Sequence, residues 1–107
     1  MSTREEGGRV VVAAIGEVDV FTAPALDAEL TRLTHDGRTS IVVDLSRVDF
    51  LDSTGLSVLV KTLKRVRESD GSLDVVVTVD RVAKVFRLTG LDQLIPLHAS
   101  VADALAG

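Results

Sequence analysis

The sequence predicts a single α/β domain, a sheet of four or five mostly parallel strands packed with α-helices. Three observations predict it. Strand-like and helix-like segments alternate along all 107 residues, the order produced when parallel strands are joined by crossovers. The strand-like segments at 9–15, 39–45 and 73–79 are mostly apolar, and the first is a continuous run rich in β-branched residues, the pattern of a strand covered on both faces. A chain of this length builds one core but not two, and it contains no linker, repeat or low-complexity stretch. One domain over 1–107 is expected.

Residues 1–8 are polar and end in Gly7-Gly8, so they predict a frayed start or a short edge strand. The first long strand, 9–15, is ended by Gly16-Glu17-Val18-Asp19. Thr22-Ala23-Pro24 opens a helix. Thr22 is its expected N-cap, and Pro24 falls in the first turn, where a missing N–H costs nothing. Leu26, Leu30 and Leu33 recur at helical spacing, and Asp36-Gly37 stops the helix. The second strand, 39–45, is carried by 46–51 into a tight turn. In the helix beyond it, Leu56, Leu59, Val60, Leu63 and Val66 form one apolar stripe opposite Lys61, Lys64, Arg65 and Glu68. Ser69-Asp70-Gly71 ends that helix, and 73–79 forms the third strand. Asp80 is the expected cap of a short helix with Val82, Val85, Phe86 and Leu88 as its apolar side and Gly90 at its end. Residues 95–98 contain Pro96 and make an edge strand at best; 100–105 would close the chain as a small helix. Val11, Val42, Val43, Leu56, Leu59, Leu63, Val76 and Phe86 are the expected core.

Composition excludes several functions. Aromatic residues are only 3%, too few for base-stacking platforms, and the net charge of −4 lacks the basic footprint of a nucleic-acid binder. With no cysteine there are neither disulfides nor thiolate metal sites. No apolar run approaches the roughly 18 residues that a bilayer requires, and the N-terminal residues carry no apolar signal segment. A cytoplasmic protein that binds neither nucleic acid nor membrane is expected.

The stretch with chemical promise is the turn Asp49-Phe50-Leu51-Asp52-Ser53-Thr54-Gly55-Leu56. Three N-cap-type residues precede a glycine at the start of a helix, with Ser53 the expected cap and Thr54 the first helical residue. A hydroxyl there sits in the positive field of the helix N-terminus, which favours a negative group placed on it. The same pattern also describes an ordinary N-cap. Other constellations fail. Neither glycine-rich phosphate-loop pattern occurs. The elbow serine is flanked by Asp52 and Thr54 rather than set in G-x-S-x-G, with only His35 and His98 on offer. His35 meets a helix end and His98 reads as plain surface. Two isolated histidines and scattered carboxylates make no metal pattern. A phosphoacceptor receiver domain would need a lysine after the last strand, and none follows His98. No catalytic residue, cofactor or metal is therefore expected.

Two segments taken together carry a resemblance. Gly16-Glu17-Val18-Asp19-x-x-Thr22-Ala23 and Phe50-Leu51-Asp52-Ser53-Thr54-Gly55-Leu56 resemble the two signature stretches of STAS domains. The subgroup most similar is that of single-domain bacterial anti-sigma factor antagonists. The segment Val82-x-x-Val85-Phe86-x-Leu88-Thr89-Gly90-Leu91 is similar to the family's third helix, so the likeness runs from about Arg9 to Leu105. The resemblance implies a partner-switching module without enzymatic activity. Unphosphorylated, it captures an anti-sigma factor that is also a serine kinase, and so frees a sigma factor. Phosphorylation of the motif serine, here Ser53, breaks the complex, and a serine phosphatase resets it. It further implies partner contact through Asp19, Asp52, Ser53, Thr54, Gly55 and Ser57, and a monomer when free. Two departures stand out. Ser57 replaces a glycine common in the family and is expected to crowd the acceptor, and the first edge strand is expected to be abbreviated. A STAS scaffold or a small-molecule-sensing domain in another signalling assembly is the alternative; free-standing length without a sensor segment favours the antagonist.

Overall fold

The structure, a computed structural model, describes residues 1–106. Its centre is a five-stranded sheet in the order β1-β2-β3-β4-β5, made of β1 (Ser2–Glu6), β2 (Arg9–Val18), β3 (Ser40–Leu51), β4 (Ser72–Val76) and β5 (Leu97–His98). β1 pairs antiparallel with β2, and every other pairing is parallel. The polar N-terminal residues thus form the short edge strand, all of it exposed. Four α-helices, α1 (Ala23–His35), α2 (Ser53–Glu68), α3 (Asp80–Thr89) and α4 (Val101–Ala106), connect and cover the sheet, with a 3-10 turn at Leu91–Gln93.

Register decides which residues meet. Val10, Ile41 and Leu73 align across three strands, as do Val12, Val43 and Val75. These rows pack against Leu26, Leu30 and Leu33 of α1, Leu56, Leu59, Leu63 and Val66 of α2, and Val82 and Phe86 of α3. The alternate residues Val11, Val42 and Val76 point to the other face, where α4 covers them with Ala104, Val101 and Leu105. Both faces being covered is why β2 reads as an apolar run from Val10 to Ala14. Every expected core residue is buried.

Local departures have local causes. Gly16 does not end the first strand: at φ +86° it takes a conformation costly for other residues, and β2 runs on to Val18 with shifted register around it. Ile15, just before Gly16, is 61% exposed, so coverage on both faces fails there. β4 ends at Val76 rather than 79, although Val77 stays buried in the core. Leu88, expected on the apolar side of α3, is 76% exposed; Val82 and Phe86 alone supply the buried stripe. Val79 rather than Asp80 occupies the cap position of α3, and Asp80 is an acidic residue of its first turn.

His98 is not plain surface. Its Nε2 lies 3.0 Å from Oδ1 of Asp74, whose Oδ2 is 2.7 Å from NH2 of Arg9. Arg9 also donates to Ser40 Oγ, Ser72 Oγ and the Ile41 carbonyl oxygen, and to the Ala104 carbonyl oxygen of α4 at 3.4 Å. This half-buried cluster joins β2, β4, β5 and α4.

Candidate functional site

The end of β2 and the end of β3 lie side by side, with Val18 paired to Leu51. The Asp52 amide donates to the Val18 carbonyl oxygen at 3.2 Å. The loops that leave these strands, carrying Asp19 and Asp52, therefore form one corner. Gly55 allows this closeness, because a Cβ there would stand 2.5 Å from Leu51 Cδ1 and 2.8 Å from Val18 Cγ1.

The cap of α2 is Asp52, not Ser53. Asp52 has extended backbone, and its Oδ1 accepts from the amides of Thr54 at 2.9 Å and Gly55 at 3.1 Å. An aspartate placed one residue earlier accepts from the second and third residues after it, the relation that a capping serine would have had to Gly55 and Leu56, and its charge suits the helix dipole. Ser53 becomes the first helical residue, and Thr54 the second. Ser53 is exposed. The positive field expected to favour a negative group on Ser53 is already partly met, because the amides of Thr54 and Gly55 hold the Asp52 carboxylate. A phosphoryl group on Ser53 adds charge beside Asp52. Ser57 folds inward onto its own helix, donating from Oγ to the Ser53 carbonyl oxygen at 2.9 Å.

Asp19 is the second acidic member. Its Oδ1 accepts from the amides of Phe21 at 2.9 Å and Thr22 at 3.1 Å. The Phe21 amide, above the other contacts, holds its carboxyl below the ordinary value. Thr22 occupies the cap position of α1 without a side-chain capping bond. Its hydroxyl instead donates to the Glu17 carbonyl oxygen at 2.7 Å and accepts from the Asp19 amide at 2.9 Å. Threonine here locks a loop rather than a helix end. Locked that way, the loop displays Val20 and Phe21, the latter 88% exposed. Phe50, also exposed, lies near the end of β3.

Of the six residues expected to contact a partner, Asp52, Ser53, Thr54, Gly55 and Ser57 share one turn, and Asp19 stands on the loop beside it. Gly55 is buried and serves the approach of the two loops. Val20 and Phe21 were not foreseen. Their signal was available: two large apolar residues between Asp19 and the helix fit no periodic stripe. The corner offers an exposed hydroxyl, two carboxylates and exposed apolar side chains, and no group of three His, Asp or Glu side chains placed to hold a metal converges among the described residues. Such a surface can bind and be modified.

The family model for the STAS domain matches residues 1–104. The anti-sigma-B factor antagonist of Staphylococcus aureus is 41% identical over 83 residues, covering 78% of this chain and 77% of that protein. An anti-sigma factor antagonist from Mycobacterium paratuberculosis has a solved structure of similar form, with a TM-score of 0.90 and 35% identity over 98% of this chain and 89% of that one. The Bacillus cell fate determinant SpoIIAA, in its phosphorylated form, shares the fold with a TM-score of 0.77 at 20% identity, over 98% of this chain and 96% of that one.

Proposed function

The chain belongs to the STAS domain family, and from that membership we propose that it is an anti-sigma factor antagonist working by partner switching. In its unmodified form it captures an anti-sigma factor and so releases a sigma factor. The anti-sigma factor is a serine kinase that modifies Ser53, and a serine phosphatase restores the binder. The free protein is a cytoplasmic monomer, and the role asks no catalysis of this chain.

One observation carries the mechanism. Ser53 presents an exposed hydroxyl at the first turn of α2, and the amides of the two residues after it are already occupied by the Asp52 carboxylate. Phosphate brings about −1.5 to −2 charge at pH 7. Here it finds its nearest stabilising amides taken and a carboxylate as its neighbour. The added charge is left for the partner to meet, on a surface that also displays Asp19 and Phe21. Docking is lost while the fold stays intact, because the helix dipole still favours the negative group.

The test is incubation with the anti-sigma kinase and ATP, followed by peptide mapping and capture assays. Label is expected on Ser53, absent in Ser53→Ala. Ser53→Ala should capture the partner permanently and melt like the parent, since Asp52 supplies the cap. Ser53→Asp should fold and bind poorly. Label on Thr54, or full capture by Ser53→Asp, would reject the assignment.

A further inference from the structure

α3 has two unlike sides. Val82 and Phe86 are buried in the core. Arg81, Lys84, Arg87 and Leu88 are all exposed. At 3.6 residues per turn these four share about a third of the helix circumference over about 10 Å, with Leu88 between Arg81 and Lys84. None of the three cations has an ion pair among the described residues. Asp80 in the first turn is the carboxylate of that side, which leaves the strip net cationic on a molecule of net charge −4. The strip stands apart from the groove of about 560 Å³ along α2, which is lined by Ser53, Leu56, Val60 and Lys64 and by Thr89 and Leu91 at the end of α3. It adjoins that groove at Thr89, so a single bound protein can reach both Ser53 and the outer side of α3.

We propose, resting on the antagonist function given above, that this side of α3 is the docking surface for the serine phosphatase, which meets it with carboxylates set around an apolar side chain. An enzyme that acts on one group of a folded protein draws binding energy from substrate surface remote from the reacting atoms. The anti-sigma factor is released when charge is added at Ser53, so its hold depends on the Ser53 turn. The phosphatase has to hold the chain while that charge is present, which favours an anchor away from the turn. Phosphate takes the net charge from −4 to about −6, so most of the molecule repels a partner's carboxylates. The α3 strip attracts them, and Leu88, 76% exposed, gives an apolar side chain its contact. A bilayer or a nucleic acid would set extended negative charge against the acidic remainder of the chain, whereas a short protein segment meets the strip alone. Hydrolysis itself, in which water takes the phosphoryl group from the Ser53 oxygen as inorganic phosphate, is the work of the phosphatase.

The experiment follows release of inorganic phosphate from the Ser53-phosphorylated full chain by the phosphatase, against substrate concentration and at two salt concentrations. Lys84→Glu and Arg87→Glu reverse charge on the strip, Leu88→Ser removes its apolar centre, and Arg4→Glu makes an equal charge change on β1. Each variant is also melted and, unphosphorylated, tested for capture of the anti-sigma factor. Lys84→Glu and Arg87→Glu should each raise KM at least about fivefold with kcat unchanged and a shallower salt dependence. Leu88→Ser should raise KM with the salt dependence of the parent, and Arg4→Glu should behave as the parent does. Capture of the anti-sigma factor should be parental in all four. Parental KM in folded Lys84→Glu and Arg87→Glu would overturn the proposal while leaving the antagonist function standing. An equal rise in Arg4→Glu would also overturn it, because net charge rather than the strip would be responsible. Loss of capture in the strip variants would assign the strip to the anti-sigma factor, and sedimentation of the parent but not Lys84→Glu with vesicles of anionic lipid would assign it to a membrane. No release of phosphate from the parent would remove the phosphatase from the cycle and this proposal with it.

Discussion

Asp52 does the work that the spacing of residues assigned to Ser53, and this division frees the serine. A hydroxyl bonded to the helix amides would have to give up those bonds to be modified; the Ser53 hydroxyl does not carry the cap. The consequence is measurable. Asp52→Ala removes a charged cap and should lower stability by about 0.5–2 kcal/mol, read as the shift of a urea midpoint. Ser53→Ala should leave that midpoint in place. A larger loss from Ser53→Ala than from Asp52→Ala would reverse the assignment of the cap. The same economy holds at Thr22, whose hydroxyl ties Glu17 to Asp19 and leaves Phe21 outside.

Among the elements, α2 bears the largest packing role, since one side of it fills the core while the other forms the groove. Leu59 is completely buried on the core side. Leu59→Ala should destabilise the domain by about 2–5 kcal/mol, and an unchanged melting temperature would refute the burial of that stripe. A second element-scale contact joins β1 to α1. The Thr3 hydroxyl donates to Glu29, which also pairs with Arg32 at 2.8 Å. Hydrogen bonding from Arg32, then from Thr3, holds the Glu29 carboxyl down at about 2, against an ordinary 4.5. A carboxyl depressed by folding stabilises above its unfolded value and loses that contribution as pH falls through its folded one. Stability from this site should therefore be complete above about pH 4.5 and vanish toward pH 2. Glu29→Gln should flatten the acid limb of the stability curve in that window. A parental acid limb in the variant would show the contact absent in solution.

Across the whole molecule, the two faces of the sheet are covered unequally. Three helices protect one face, and the short α4 covers part of the other. Arg9 and Asp74 compensate by joining β2, β4, β5 and α4 through one ion pair and its hydrogen bonds. Arg9→Met leaves the largely covered Asp74 without its cation and should cost about 1–3 kcal/mol. Adding Asp74→Leu should return part of that loss, because the uncompensated charge is gone. A double variant less stable than Arg9→Met would show that Asp74 stabilises through its contact with His98 even without Arg9. The cluster belongs to the end of the sheet where β2, β3 and β4 begin, whereas the Asp19–Ser53 corner lies where β2 and β3 finish. Stability and recognition are thus assigned to opposite ends of the same strands.

The order of elements, the parallel sheet and the buried stripes were determined by the sequence alone, because apolar periodicity reports which faces leave water whatever the partner. The N-terminal edge strand and the turn at Ser53 were legible for the same local reason. Tertiary structure decided what depended on contact between distant segments. Which of three adjacent polar residues caps α2 follows from how β3 delivers the chain beside Val18. His98 is drawn to Asp74 only because β5 lies next to β4, and Leu88 is left in water because α3 turns Phe86 inward. The groove beside α2 was also beyond sequence reasoning. The exposed side of α2 reads as solvated surface until Leu91, some thirty residues away, is brought beside it. Local propensity acts over a few residues, whereas these choices are made by neighbours that only the folded sheet supplies.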